Sequence, residues 1–249
     1  MMSYKLAKYN VKSSIKSIII FYSILISVTI GIELLSGISN GDVQSSGLES
    51  ASIIFLFVLG LNFFKENFYF SQANNIPRVD YFKGVVISII PIGLVMSVLD
   101  IIINRVHNLF SISPTMYDMA YSGSFNYNTR FELWVQSNDI KTLFGTVTFL
   151  FSFYIAAFGV GLLITMIFYN CNKTMKILVS LTPIAIMTIY GRVVFTNPNF
   201  GEKTVIFFDN IFGISSKNSY MSVLTFICLF VITMSFVYLF VRKAVVKRD

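Results

Sequence analysis

The 249-residue sequence has little of what most enzymes use. There is one histidine, His107, so no HExxH zinc pair, haem-ligand pair or histidine-based triad can be assembled. The two cysteines, Cys171 and Cys228, lie on separate segments at no metal-ligand spacing, and read as small apolar residues in helices. The nearest approach to a phosphate loop is Gly201-Glu202-Lys203-Thr204, where Glu202 stands in place of the glycine that must precede the lysine. Gly159 and Gly161 lack the third glycine of a dinucleotide fingerprint, since Ile164 occupies that place. No catalytic residue, metal ligand or nucleotide site is assigned, and the chain is expected to be no enzyme and to hold no cofactor of its own.

Charge is equally sparse. Asp, Glu, Lys and Arg make up 12% of residues, against about 25% in soluble domains. Hydrophobic residues reach 55%, and the mean hydropathy is +0.72. Six windows are apolar enough to cross a hydrocarbon core about 30 Å thick: roughly 17–36, 48–64, 84–103, 141–169, 177–196 and 221–241. They are continuous rather than alternating, which excludes barrel strands and predicts an all-α membrane protein of six transmembrane helices. The first window resembles a signal peptide in its basic flank. Its length, and the lack of a small-residue cleavage site after it, predict an uncleaved helix.

The distribution of charge predicts the topology. With the N-terminus placed inside, 13 of the 19 Lys and Arg fall on the inner side, among them Lys5, Lys8, Lys12, Lys16, Lys65, Arg78, Lys83 and Arg242. Nine of the 12 acids fall near or beyond the outer face. This bias predicts a multi-pass protein of the cell membrane with both termini cytoplasmic. The net charge of +7 then reports topology and contact with anionic lipid, and gives no reason to expect nucleic acid as a partner.

Between the spans, residues 1–16 carry four lysines three or four apart. They are expected to form either an amphipathic helix at the inner interface or a basic tail. Residues 104–140 form a long outer loop with Pro114, several tyrosines and the single tryptophan, Trp134. The apolar stretch 204–214 is expected to dip back toward the membrane as a short helix. The tight inner turn at 170–176 predicts that spans four and five are antiparallel neighbours. Within span four, Thr148, Ser152, Ala156, Ala157 and Gly161 form small-residue faces suited either to a dimer seam or to internal packing.

Glu33, Asp100 and Arg192 fall near the outer ends of spans one, three and five, where ionisable groups are costly and face protein or water. They are read as an outer-gate cluster in which Arg192 pairs with Glu33 or Asp100. The alternative is that each head group reaches the polar layer alone. Pro91 and Pro183 are expected to kink spans three and five.

The stretch Phe68-Tyr-Phe-Ser-Gln-Ala-Asn-Asn-Ile-Pro-Arg-Val-Asp-Tyr-Phe-Lys-Gly84 lies within the second inner segment, 65–83, and its following glycine. Asn74 and Asn75 predict a turn, and Pro77 suits the first position of a helix. Aromatics beside Arg78, Asp80 and Lys83 suit a protein interface. Phe68, Phe70, Asn74, Ile76, Arg78, Tyr81, Phe82 and Gly84 follow the order of a pattern found between spans two and three of bacterial ABC-2-type exporter permeases. The chain departs from that pattern at Asn75, where the family has glycine, and at Pro77, where it has serine. With its six spans, it resembles the membrane subunit of such an exporter. The resemblance implies a coupling helix–turn–helix at 65–83 that fits a groove on a separate ATP-binding subunit, with Phe68, Gln72, Asn74, Arg78 and Tyr81 as contacts. It also implies a second permease copy or paralogue as partner, and ATP with Mg²⁺ on the ATPase. Among such permeases the chain is most similar to those exporting amphipathic or antimicrobial peptides. The contrasting expectation is a non-transporting immunity or sensor protein that binds peptide through its outer loops. An ion-coupled carrier would need carboxylates near the midplane, whereas Glu33 and Asp100 lie toward the outer face.

Overall fold

A computed structural model describes residues 2–39, 46–122 and 135–244. All regular structure among them is helical: α1 (Met2–Ser39), α2 (Glu49–Ala73), α3 (Arg78–His107), α4 (Met116–Tyr121), α5 (Ile140–Asn170), α6 (Lys173–Thr196), α7 (Pro198–Phe212) and α8 (Ser219–Lys243). Six of these, all but α4 and α7, are long and apolar enough to cross a membrane, so the all-α membrane-protein class holds. Trp134 with the middle of the long outer loop, and the last charged residues Lys247, Arg248 and Asp249, lie outside the described residues.

The helix α5 is the centre of the bundle. Its small residues let neighbours approach to backbone contact on two sides. Gly161 faces the Phe57 carbonyl of α2, and Gly60 of α2 faces the Phe158 carbonyl of α5, so the two glycines remove side chains from the same seam. Thr165 donates to the Leu61 carbonyl at 2.5 Å along it. On the other side, Gly159 meets Thr233 and Phe230 of α8. In α8 the buried residues Ser219, Ser222, Phe226, Phe230, Thr233, Val237 and Val241 recur at three and four, which is one helical face, and this face lies on α5. Ser152 and Ala156 of α5 are also buried. The small-residue faces thus serve internal packing.

Several boundaries differ from the sequence reading. Residues 2–16 are the first turns of one continuous 38-residue helix rather than a separate segment. Leu6, Ala7, Asn10 and Ser14 form its buried face, and the four lysines are exposed on the remainder. The second span runs from Glu49 to Ala73, so Lys65 and Glu66 lie within a helix and not in a connector. Pro91 and Pro183 sit inside helices that continue through them. Part of the long outer loop is α4, started by a capping box in which Thr115 and Asp118 exchange side-chain-to-backbone bonds. The stretch 204–214 falls mostly in α7, ended by Gly213 in the left-handed conformation (φ 64°).

The expected pairing of spans four and five is not seen. The chain does turn tightly from α5 into α6, but α6 does not pack along α5 and lies principally against α7. None of its described side chains is buried. A short connector requires the joined ends to be close, and does not by itself require the helices to lie side by side.

Candidate functional site

The turn joining α2 to α3 is built by local rules. The Ile76 amide bonds the Ser71 carbonyl at 2.9 Å and the Asn75 amide bonds the Gln72 carbonyl at 3.1 Å. This pair of bonds is a Schellman motif, with Asn75 as its left-handed residue at φ 55°. Asparagine tolerates that conformation where most residues do not. Pro77 stands one place before the helix, as its N-cap, with extended ψ (142°) that directs the chain into α3. No separate coupling helix is formed; α2 ends, four residues turn, and α3 begins.

The five residues expected to meet an ATPase divide by burial. Phe68 and Tyr81 are 0% and 1% exposed, packed with Phe64 in edge-to-face and stacked contacts. They hold the two arms of the hairpin together and are not available as surface contacts. The correction follows from helical periodicity: both lie on the faces that α2 and α3 turn toward the core. Gln72 is half-buried, its amide nitrogen 3.3 Å from the Ile76 carbonyl, where it braces the turn. Asn74 is exposed at the tip. Arg78 is partly exposed, and its Nη1 donates to the Arg242 carbonyl at the end of α8 at 2.5 Å. The exposed apolar side chains beside the turn are Phe70 and Val79, 41% and 43% exposed.

Three further contacts fix this end of the molecule. Ser3 Oγ donates to Asp80 Oδ1 at 2.6 Å, and Tyr9 stacks on Phe70 with ring centroids 4.5 Å apart. Leu6 lies against Gly84, where an added Cβ would come within 3.0–3.2 Å of its side chain. The beginning of α1, the α2–α3 turn and the end of α8 therefore meet at one end of the bundle.

At the opposite end, Glu33, Asp100 and Arg192 are not brought together. Arg192 is exposed on α6 and pairs with neither acid. Its helix has left the bundle, which is the physical reason the expected cluster fails. Glu33 instead lies beside His107, Oε1 to Nε2 at 3.1 Å, and this pair sits in a cleft of about 670 Å³ between α1 and α3 walled mainly by apolar residues such as Ile26, Ile30, Ile103 and Phe110. His107 falls in the outer loop 104–140 of the sequence reading; it is the last residue of α3 and 8% exposed.

Asp100 is the acceptor of a tyrosine clamp. Tyr22 of α1 donates to Oδ1 at 3.0 Å, and Tyr154 of α5 donates to Oδ2. One carboxylate thereby links three helices, and each bond to a charged acceptor exceeds a neutral one in strength. Near it lies Glu49, 1% exposed in the first turn of α2, which the sequence reading counted only as an outer-side acid. Glu49 and Ser52 are three residues apart on one helical face, a signal available in the sequence but of little weight alone.

Comparison of the chain with family models, with curated proteins and with solved structures gives no match.

Proposed function

We propose that the chain is the membrane subunit of an ATP-driven exporter, acting with a second permease chain and a separate ATP-binding subunit on an amphipathic peptide or lipid-like cargo. The observation that carries the reading is mechanical. The α2–α3 turn is closed by a Schellman motif and is tied to α1 through Ser3–Asp80 and Tyr9–Phe70, and to α8 through Arg78. Force applied there passes directly into α2 and α3 and, through these contacts, into α1 and α8. A turn that served only to connect two spans would need none of these ties. In this reading the end holding the turn and both chain ends is cytoplasmic, in keeping with its lysines and arginines. The work of the chain is to move, and the chemistry belongs to the partner ATPase.

The surface offered to that partner is the exposed rim of the turn, Phe70, Asn74 and Val79, with Arg78 beside it. The test is affinity purification of the tagged chain from its native membrane in mild detergent. An ATPase should co-purify with the wild-type chain. The double substitution F70D/V79D should abolish that capture and, through loss of the Tyr9–Phe70 stack, cost about 1 kcal/mol of stability, whereas V79D alone breaks none of these ties and should weaken capture at unchanged thermal stability. Purification without any ATPase, or capture indifferent to the double substitution, would overturn the proposal.

A further inference from the structure

Among the described residues neither carboxylate oxygen of Glu49 has a hydrogen-bond partner, and the side chain is almost wholly removed from water. Its carboxylate lies near the backbone of Glu49 itself and of Met116, but makes no bond of normal geometry to either. Ser52, one turn along the same face of α2, is fully buried, and its hydroxyl makes no hydrogen bond of normal geometry. It lies close enough to the Asp100 carboxylate and the Tyr22 hydroxyl to act on both. Every element packed around this space contributes a titratable or charged group: Tyr22 from α1, Asp100 and Arg105 from α3, Asp118 from α4 and Tyr154 from α5.

The charges do not balance. Glu49, Asp100 and Asp118 carry three negative charges when ionised, against one guanidinium. Asp118 is satisfied by the Thr115 hydroxyl and amide, and Asp100 by its two tyrosines. Arg105 makes no ion pair with Glu49; Nη2 donates to the Ser137 carbonyl at 3.3 Å, and among the described residues its Nε and Nη1 have no acceptor. A carboxylate removed from water with no hydrogen bond and no ion pair in contact is strongly disfavoured, and a cation bound directly to it offsets that cost.

We propose that Glu49, Ser52 and Asp100 form a binding site for one monovalent cation, a proton or Na⁺, at the end of the bundle away from the α2–α3 turn. The oxygens are supplied by carboxylate and hydroxyl groups, which suits a hard cation. The site is roofed by α4, whose approach is held by the Gly47 amide on the Pro114 carbonyl at 3.2 Å and by Asn104 on the Ser113 carbonyl at 2.9 Å. This site is independent of the ATPase reading and stands whether or not that reading holds.

The experiment uses the purified full chain in detergent at constant ionic strength, with NaCl exchanged against choline chloride. If Na⁺ is the occupant, the thermal unfolding midpoint rises with Na⁺, E49Q removes the rise, and S52A raises the half-effective Na⁺ concentration by about tenfold, the equivalent of one lost oxygen contact. If a proton is the occupant, Na⁺ has no effect. The infrared spectrum of the wild type then shows the carbonyl stretch of a protonated carboxyl, which E49Q removes and S52A shifts. Should E49Q fail to fold, S52A against wild type decides by the same readouts. A midpoint indifferent to Na⁺ together with no Glu49-dependent or Ser52-dependent carboxyl band overturns the proposal, as does a Na⁺ response that persists unchanged in E49Q.

Discussion

Replacing Gly161 by alanine adds one methyl group at the point where α5 touches the backbone of α2. That methyl would fall on the Phe57 carbonyl oxygen, with the Leu61 amide nitrogen at 3.1 Å. Neither atom belongs to a flexible side chain that could swing aside, so the helices must separate along the seam. Overpacking of this kind costs typically about 1–3 kcal/mol, and the separation also forfeits dispersion contacts on both sides of the gap. Against this stands the gain of about 1 kcal/mol that alanine brings over glycine in a helix interior. Gly191 in α6 and Gly31 in α1 isolate that gain, because a methyl at either meets nothing within 4 Å. The expected result is a difference in sign: G161A destabilises, while G191A and G31A are neutral or stabilising. The measurement is thermal or denaturant unfolding of the four proteins in one detergent. G60A should behave as G161A does, and the double variant should lose less than the sum, since one separation accommodates both methyl groups. Equal stability of G161A and G191A would refute the close approach of α2 and α5.

Two further outcomes can be checked directly. Asn75→Gly should leave stability unchanged or slightly raised, whereas Asn75→Val should cost about 1–2 kcal/mol, because a branched side chain opposes the left-handed backbone of the turn; unfolding midpoints decide. Tyr121 donates to the Phe212 carbonyl at 2.8 Å and is bonded to Ser222, and burial raises its hydroxyl above the ordinary value of 10.0. The folded state therefore keeps this proton where the unfolded chain releases it, so its contribution to stability is present below about pH 10 and is lost as pH rises beyond. Y121F should flatten the alkaline limb of the stability–pH profile, and an unchanged limb would count against the buried hydroxyl.

Much of the fold was legible because the forces behind it are local or one-dimensional. Apolar runs of the right length identify the six long helices, and an Asn-Asn pair before proline identifies the α2–α3 turn. Span two was cut short at Phe64 because Lys65 and Glu66 resemble the end of an apolar run. In the structure both point outward from a helix that continues on its buried face through Phe68 and Ser71. The same oversight, reading composition in place of face, made surface contacts of Phe68 and Tyr81. The pairing of Arg192 was lost for a different reason: which helix packs on which is a tertiary fact, and nothing in the sequence of α6 signals that it leaves the bundle. Glu49 was passed over because one acid at a span boundary is ordinary, and its meaning depends on Ser52, Asp100 and two tyrosines supplied by other helices.

The glycines of α5 have a consequence for motion. Backbone set against backbone on the α2 side, and glycine against Thr233 and Phe230 on the α8 side, bring the helices into close approach, and the ring contacts Phe63–Phe158 and Phe153–Phe226 interlock along the same seams. The three helices form a keel that travels as one piece. Displacement then has to be taken up by the α6–α7 arm, which meets the keel chiefly through α7. Distance probes placed within α2, α5 and α8 should report a constant spacing in every state of the protein, while a probe on α6 paired with any of them should not.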